Sequence, residues 1–217
     1  MIQKISPEIR HVRLDSGVAS EITIKESENP QIHFSCDEKH RALIQLSVLE
    51  DASKLTIRVK DSVSLGRSQA AYRMDLHVSS GMLDSLDINA VQSRLSFAEL
   101  ALASLRLTCV SGEMTLPDTA AIKTMGLRLI STASAITIGG TTRSASVNAV
   151  NSSTRIDITR INPALRLRNI STLATINGTR FKNLELSTPR AKEQPCLKCE
   201  TVGGRLSITR DGGLFHP

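Results

Sequence analysis

Aromatic side chains are scarce in this 217-residue chain, which has no Trp, one Tyr and four Phe although 40% of its residues are hydrophobic. Recognition of single-stranded nucleic acid by stacking needs aromatic side chains among the cations, so this composition disfavours it. No run approaches eighteen apolar residues, and no membrane-spanning helix is therefore predicted. The aliphatic residues that dominate the hydrophobic fraction have the size that fills a narrow core.

The motifs of common catalytic and nucleotide-binding sites are missing too. The sequence has no G-x-S-x-G, no G-x-x-x-x-G-K-[ST] and no H-E-x-x-H, and its five His show no metal-ligand spacing. Polysaccharide-cleaving β-helices need clustered acids on one outer face, whereas Asp157 is nearly alone at the outward positions of the repeat described next. We predict a protein that is not an enzyme, with no cofactor and no metal site.

A repeat of about nineteen residues runs from Leu86 to the C-terminus. The aligned first positions of its units are Leu86, Leu105, Leu127, Val147, Leu165 and Leu197, with a shortened unit beginning at Leu184. Each unit has two short segments of alternating apolar and polar residues, joined by a turn of small residues. A fixed period with this alternation predicts an all-β fold, a single-chain parallel β-helix (β-solenoid) whose rungs stack about 4.8 Å apart.

Three further positions in each unit are largely apolar and are predicted to point inward. They are Ile88, Leu95 and Phe97; Leu107, Met114 and Leu116; Leu129, Ile136 and Ile138; Ala149, Ile156 and Ile158; Leu167, Ala174 and Ile176; and Cys199, Leu206 and Ile208. One rung buries too little apolar surface to offset the entropy of ordering its residues, so the stack is needed for stability.

The first eighty residues also contain strand-like segments, but with a different spacing. Their best match to the repeat is HVRLDSGVASEITI, which resembles a diverged rung. Exposed solenoid ends invite edge-to-edge pairing, so caps are expected. We predict that residues 1–82 form an irregular N-terminal β cap packed on the solenoid, and that residues 83–217 form the rungs around one continuous core.

Cys196 and Cys199 form a C-x-x-C pair, which is compatible with half a zinc site or with a redox pair. Cys36 and Cys109 are not spaced to complete a zinc site. The repeat places Cys199 at an inward position, so we interpret it as a small core residue rather than as a ligand.

Positive charge is concentrated in the C-terminal part of the chain, where residues 101–217 contain 15 Lys and Arg against 7 Asp and Glu. The alignment places Arg106, Arg128, Arg166 and Lys198 at one outward position of the rungs, which is also occupied by Asn148 and Glu185, and Arg168 lies two residues beyond Arg166 on the same face. The five cations are predicted to share one basic stripe. A solvated face that prevents aggregation is one interpretation. A docking surface for a polyanion or an acidic protein is the other.

The strand series followed by repeated L-x-L-x-x-x-S-G-x-x-x-L units, best kept in LRLTCVSGEMTL, resembles the bacterial "putative adhesin" β-solenoids of unknown function, the DUF4097/DUF2807 group. The resemblance implies a single-chain, right-handed parallel β-helix without an established catalytic residue. The S-G turn is intact only at Ser111-Gly112, and the export signal common in the family is missing. A weaker resemblance is to the bactofilins, solenoids that polymerise end to end.

These observations predict a structural or protein-interaction module that docks a partner, such as an acidic protein, through a solenoid face. The alternatives are a binding protein for an anionic polymer or lipid head group through the basic stripe, and a bactofilin-like polymer that self-associates through the solenoid ends. The N-terminus shows no signal peptide, so a complete chain would be cytoplasmic, and a trimmed one would belong to the cell envelope or surface.

Overall fold

The computed structural model describes residues 1–61, 71–79, 81, 83–118, 120–171 and 173–210. Within these ranges the chain forms nineteen strands and one helical turn, α1 (Glu38–Arg41). The strands are β1 (Ile2–Lys4), β2 (His11–Ser16), β3 (Ser20–Ser27), β4 (Gln31–Cys36), β5 (Ile44–Asp51), β6 (Lys54–Asp61), β7 (Tyr72–Ser79), β8 (Leu83–Val91), β9 (Ser93–Ala98), β10 (Leu100–Val110), β11 (Glu113–Leu116), β12 (Ala120–Ile130), β13 (Ala133–Ile138), β14 (Ser144–Ile158), β15 (Ala164–Ile170), β16 (Leu173–Ile176), β17 (Thr179–Lys182), β18 (Glu185–Ser187) and β19 (Cys196–Arg210). The all-β fold predicted from the alternation is confirmed.

Each rung has a first and a second strand that share one core. Strands β14 and β19 are long and each supplies both strands of a rung. In spatial order, the described rungs are formed by β6 with β7, β2 with β3, β8 with β9, β10 with β11, β12 with β13, β14 alone, β19 alone, and β15 with β16. Neighbouring rungs pair in parallel and in register. The structure is therefore a parallel β-solenoid, as predicted, and the handedness of its coil stays a prediction.

Spatial order differs from chain order at both ends of the stack. Strands β2 and β3 lie between the β6/β7 rung and the β8/β9 rung, although they precede both in the chain. At the other end, β19 lies between β14 and the β15/β16 rung. The alignment treated successive units as neighbouring rungs, and this is wrong for the last ones. The first and last full rungs of the chain are each inserted one rung inside the stack.

Antiparallel strands cover both ends of the solenoid. At the N-terminal end β5 pairs antiparallel with β6, and β4 pairs antiparallel with β7. At the C-terminal end β18 pairs with β15, and β17 pairs with β16. Such strands cannot continue the parallel stack, so they limit rung addition at either end. The proposed division at residues 82 and 83 stays a prediction, and the segment HVRLDSGVASEITI forms a full rung.

The core is one continuous column of aliphatic side chains that runs from Ile5 to Ile208. Every inward residue predicted from the repeat is buried in it, from Leu86 to Ile208. β-branched and leucine side chains fill the narrow space between the two strands of a rung. The scarcity of aromatic residues follows from this geometry.

A single residue turns the corner between the two strands of most rungs. Ser111, Ser131, Asn151 and Gly203 all adopt a left-handed φ between 50° and 66° there. The corner keeps the hydrogen bonding between rungs, because the Ser111 amide donates to the carbonyl of the next rung at 2.8 Å. The following residue points inward: a Cβ at Gly112 would collide with the Ser93 carbonyl, so glycine is required there.

The predicted register is wrong by two residues at two places. Leu127 pairs with Leu107 rather than with Leu105, whose partner is Met125. Likewise Val147 pairs with Cys199 rather than with Leu197. A shift of two residues keeps every side chain on its side of a strand, so the apolar pattern cannot detect it.

Candidate docking surface

The first strands of the rungs form a broad surface that we call the first face. It runs across the described stack in the order β5, β6, β2, β8, β10, β12, β14, β19, β15 and β18. Alternate residues of these strands point away from the core. Because the inner strands are hydrogen-bonded on both sides, their outward side chains project from a rigid backbone.

All five predicted binding residues are exposed on the first face, but they do not form one stripe. Arg106 lies between Asp87 and Gly126 in the neighbouring strands. Arg128 is flanked by Thr108 and Asn148. The predicted stacking of Arg106, Arg128 and Arg166 is therefore wrong, because the two-residue shift and the inserted β19 separate them.

The arginines form two groups instead. Arg106 and Arg128 lie on adjacent rungs, two residues apart along the strand direction. Arg166 lies next to Lys198 of β19, and Arg168 follows it on the same strand. Four rung spacings separate Arg106 from Arg166, which is about 19 Å at 4.8 Å per rung. Among the described residues, none forms an ion pair with any of these four arginines.

The second group lines a shallow concavity of about 340 Å³ at the C-terminal end of the first face. Arg168 lies between Glu200 of β19 and Glu185 of β18 in the strand register. The Lys198 ammonium contacts the Glu200 carboxylate at 3.1 Å. The concavity therefore holds three cations and two carboxylates, and its net charge is only modestly positive.

Carboxylates balance the cations of the N-terminal half of the first face. Arg13 binds Asp15 at 2.9 Å, and Arg58 lies 3.8 Å from the same carboxylate. Partial burial opposes ionisation of Asp15, but hydrogen bonds from Asn89 and Arg13, with the charges of Arg13 and Arg58, outweigh it and lower its pKa. An acidic partner would therefore find most of the unbalanced positive charge of this face in its C-terminal half.

The C-x-x-C pair divides between core and surface. Cys199 is fully buried, and burial raises the pKa of its thiol to about 12, with a smaller contribution from Glu200. Cys196 is only half-buried. Within the described ranges, no three His, Cys, Asp or Glu side chains come together as metal ligands would. The interpretation of Cys199 as a small core residue agrees with this position.

A column of aliphatic side chains that the repeat alignment did not predict lies on the outer side of the corner. The residue before each corner points outward, and these residues pair in register from rung to rung. We call this set the aliphatic ladder: Val91, Val110, Ile130, Val150, Val202 and Ile170. Val202 and Ile170 are 46% and 47% exposed, and Leu173 beyond the corner is 45% exposed. A signal was available, because Val or Ile precedes the turn in each of these units.

A stack of parallel two-stranded rungs closed by antiparallel strands defines the class of this protein, a capped β-solenoid. The family model described as Toastrack DUF4097 matches residues 9–210, and the chain belongs to that family. The resemblance noted from the repeat is thereby confirmed. The comparison with curated proteins finds no match.

Solved structures of bacterial proteins are similar to this chain at low sequence identity. A putative cell adhesion protein from Clostridium sporogenes aligns over 97% of this chain and 98% of its own, with 10% identity and a TM-score of 0.56. A putative adhesin from Bacteroides fragilis aligns over 97% and 95%, with 16% identity and a TM-score of 0.48. The first likeness supports the fold of this chain.

Proposed function

We propose that this protein is a non-enzymatic interaction module that docks an acidic protein partner through the first face. The observation that carries the proposal is the set of four exposed arginines, Arg106, Arg128, Arg166 and Arg168, without an ion pair to any described residue. Because the backbone of these strands is rigid, only the arginine side chains have to be ordered when a partner binds them. The description of the Clostridium sporogenes structure as a putative cell adhesion protein is consistent with docking.

The acids of the concavity lie beside its cations. Glu185 and Glu200 are both neighbours of Arg168 in the strand register, and Glu200 also contacts Lys198. Opposite charges on neighbouring strands complement one another at a surface. This arrangement supports a binding role for the concavity.

A second candidate is the binding of an anionic polymer or lipid head group in the concavity. Arg166, Arg168 and Lys198 converge on it, and a phosphate could engage the two guanidinium groups together. Glu185 and Glu200 compete with such a ligand for the same cations. We favour the protein partner because a protein can contact both arginine groups across about 19 Å.

Two paired charge reversals test the proposal. The first variant carries Arg106→Glu and Arg128→Glu, and the second carries Arg166→Glu and Arg168→Glu. With the protein immobilised as bait in a lysate of its native host, each variant should retain much less of the captured acidic protein. A matched control that reverses Arg41 of α1 and Lys54 of β6, near the opposite end of the stack, should retain it fully.

The outcomes separate the two candidates. If only the second variant weakens binding, and the ligand is an anionic polymer whose affinity falls steeply with salt, the concavity alone is the site. If both variants keep full binding, the arginines only keep the face solvated and the proposal is wrong. Circular dichroism of each variant shows that the fold is intact.

A further inference from the structure

The aliphatic ladder is a surface that the proposed docking to the first face does not use. Its six side chains stand in one column across six rungs, which spans about 24 Å at 4.8 Å per rung. A column of outward Val and Ile side chains differs from scattered exposed apolar residues, because a contiguous apolar patch marks an interaction surface. The shape of the ladder and the charges beside it indicate what kind of partner binds there.

The shape of the ladder argues against a second copy or a folded protein as the occupant. Val91 and Val110 at its N-terminal end line a concavity with Val59, whereas Val202 and Ile170 at its C-terminal end are nearly half exposed on the outside of the corner, so this end is a narrow ridge. A stable protein interface needs about 20–30 residues from each partner and good shape complementarity. The ladder offers six side chains, with Leu173 beside them. A fluid surface, by contrast, closes around a convex ridge without a matching groove.

The charges beside the ladder favour an anionic surface. On the first face the residues beside it include Arg128 and Arg168; Glu200 between them is paired with Lys198, and Glu185 lies on the other side of Arg168. On the other side of the corner, Arg205 and Lys182 lie on either side of Leu173. Near Val202 and Ile170 the first-face side is therefore only modestly positive, and the stronger positive charge lies at Arg205 and Lys182.

We propose that the C-terminal half of the aliphatic ladder seats this protein on an anionic lipid bilayer. The half-exposed side chains of Val202, Ile170 and Leu173 would enter the boundary between head groups and acyl chains. The flanking arginines and Lys182 would contact the lipid phosphates. Apolar insertion combined with basic flanks is the pattern of proteins that lie on a membrane. Within the described residues, no helix is long and apolar enough to cross a bilayer.

Co-sedimentation with lipid vesicles tests this inference. The whole protein should bind vesicles of equimolar phosphatidylcholine and phosphatidylglycerol, and should bind pure phosphatidylcholine far more weakly. The apolar variant carries Val202→Ser, Ile170→Ser and Leu173→Ser, and its affinity for the mixed vesicles should fall about 30-fold or more. Its matched control carries Ile2→Ser and Leu49→Ser, two aliphatic residues that are more exposed, at 68% and 62%, but lie away from the ladder. The control should bind as the unchanged protein does.

A second pair of variants tests the electrostatic part. Reversing Arg205 and Lys182 to Glu should lower affinity for the mixed vesicles about 20-fold or more, because each cation near an anionic surface contributes about fivefold. Both residues lie outside the arginine groups of the proposed protein-docking site. These variants should therefore keep the captured acidic partner, so failure of the membrane inference can be told from failure of the proposed function.

Three results would overturn the membrane inference. Equal binding to neutral and mixed vesicles would show that charge has no part. Loss of binding in the Ile2 and Leu49 control, as large as in the apolar variant, would show nonspecific adsorption. A dimer in light scattering that the apolar variant abolishes, without vesicle binding, would assign the ladder to a second copy of this chain.

Discussion

Strand β19 is the last strand in the described chain but lies inside the stack, and Leu206 tests that position. The Leu206 side chain is 1% exposed and lies between the inward residues of β14 and β16. A terminal rung would have a neighbour on one side and could relax after truncation. An interior rung has neighbours on both sides, so Leu206→Ala should leave a cavity that the structure cannot close.

The expected loss follows from this burial. Truncation of a buried Leu to Ala costs about 2–5 kcal/mol. A domain of this size loses about 2–4 °C in Tm for each kcal/mol, so the melting temperature should fall by about 4–20 °C. On the same strand, Val202 is 46% exposed, and Val202→Ala should change stability by about 0.5 kcal/mol or less.

Thermal unfolding of the two variants and hydrogen exchange of the unchanged protein together test whether β19 lies inside the stack. The amides of β19 should be among the slowest to exchange, because the strand is paired on both sides, whereas those of β18 pair with β15 alone among the described strands. If Leu206→Ala is as mild as Val202→Ala, and β19 exchanges as fast as β18, the strand is not inside the stack.

Three further predictions concern single residues. Gly112→Ala should destabilise the fold by about 1–3 kcal/mol, because its Cβ would meet a backbone carbonyl of the adjacent rung. Gly126 has open space around it, so Gly126→Ala should be neutral or slightly stabilising. Urea titration of both variants measures the difference. Cys199 should resist a thiol reagent at pH 8 because its pKa is about 12, while the half-buried Cys196 reacts; equal labelling in the folded state would contradict the buried position. The lowered pKa of Asp15 contributes stability above its unfolded pKa of about 4, which is lost as the pH falls through the folded value. Asp15→Asn should thus be less stable at neutral pH and lose less on acidification to about pH 2, as followed by circular dichroism.

The strands, the inward residues and the family could all be predicted from the amino-acid sequence. Alternation with period two shows which side chains face the core, and it does not depend on which rungs are adjacent. Residues such as Leu107, Ile138 and Leu206 were therefore predicted correctly as inward. The exposure of Arg106 and Arg166 follows from the same rule, because the residue after an inward one points outward.

Which rungs are neighbours depends on long-range contacts and could not be predicted from the repeat. A register shift of two residues leaves the alternation unchanged, so the pairing of Leu105 with Met125 had no signature in the apolar pattern. The insertion of β19 between β14 and β15 depends on hydrogen bonds between distant segments, which local sequence does not encode. The two arginine groups and the aliphatic ladder exist because of that register, since a column of side chains on a solenoid is defined across rungs rather than along the chain.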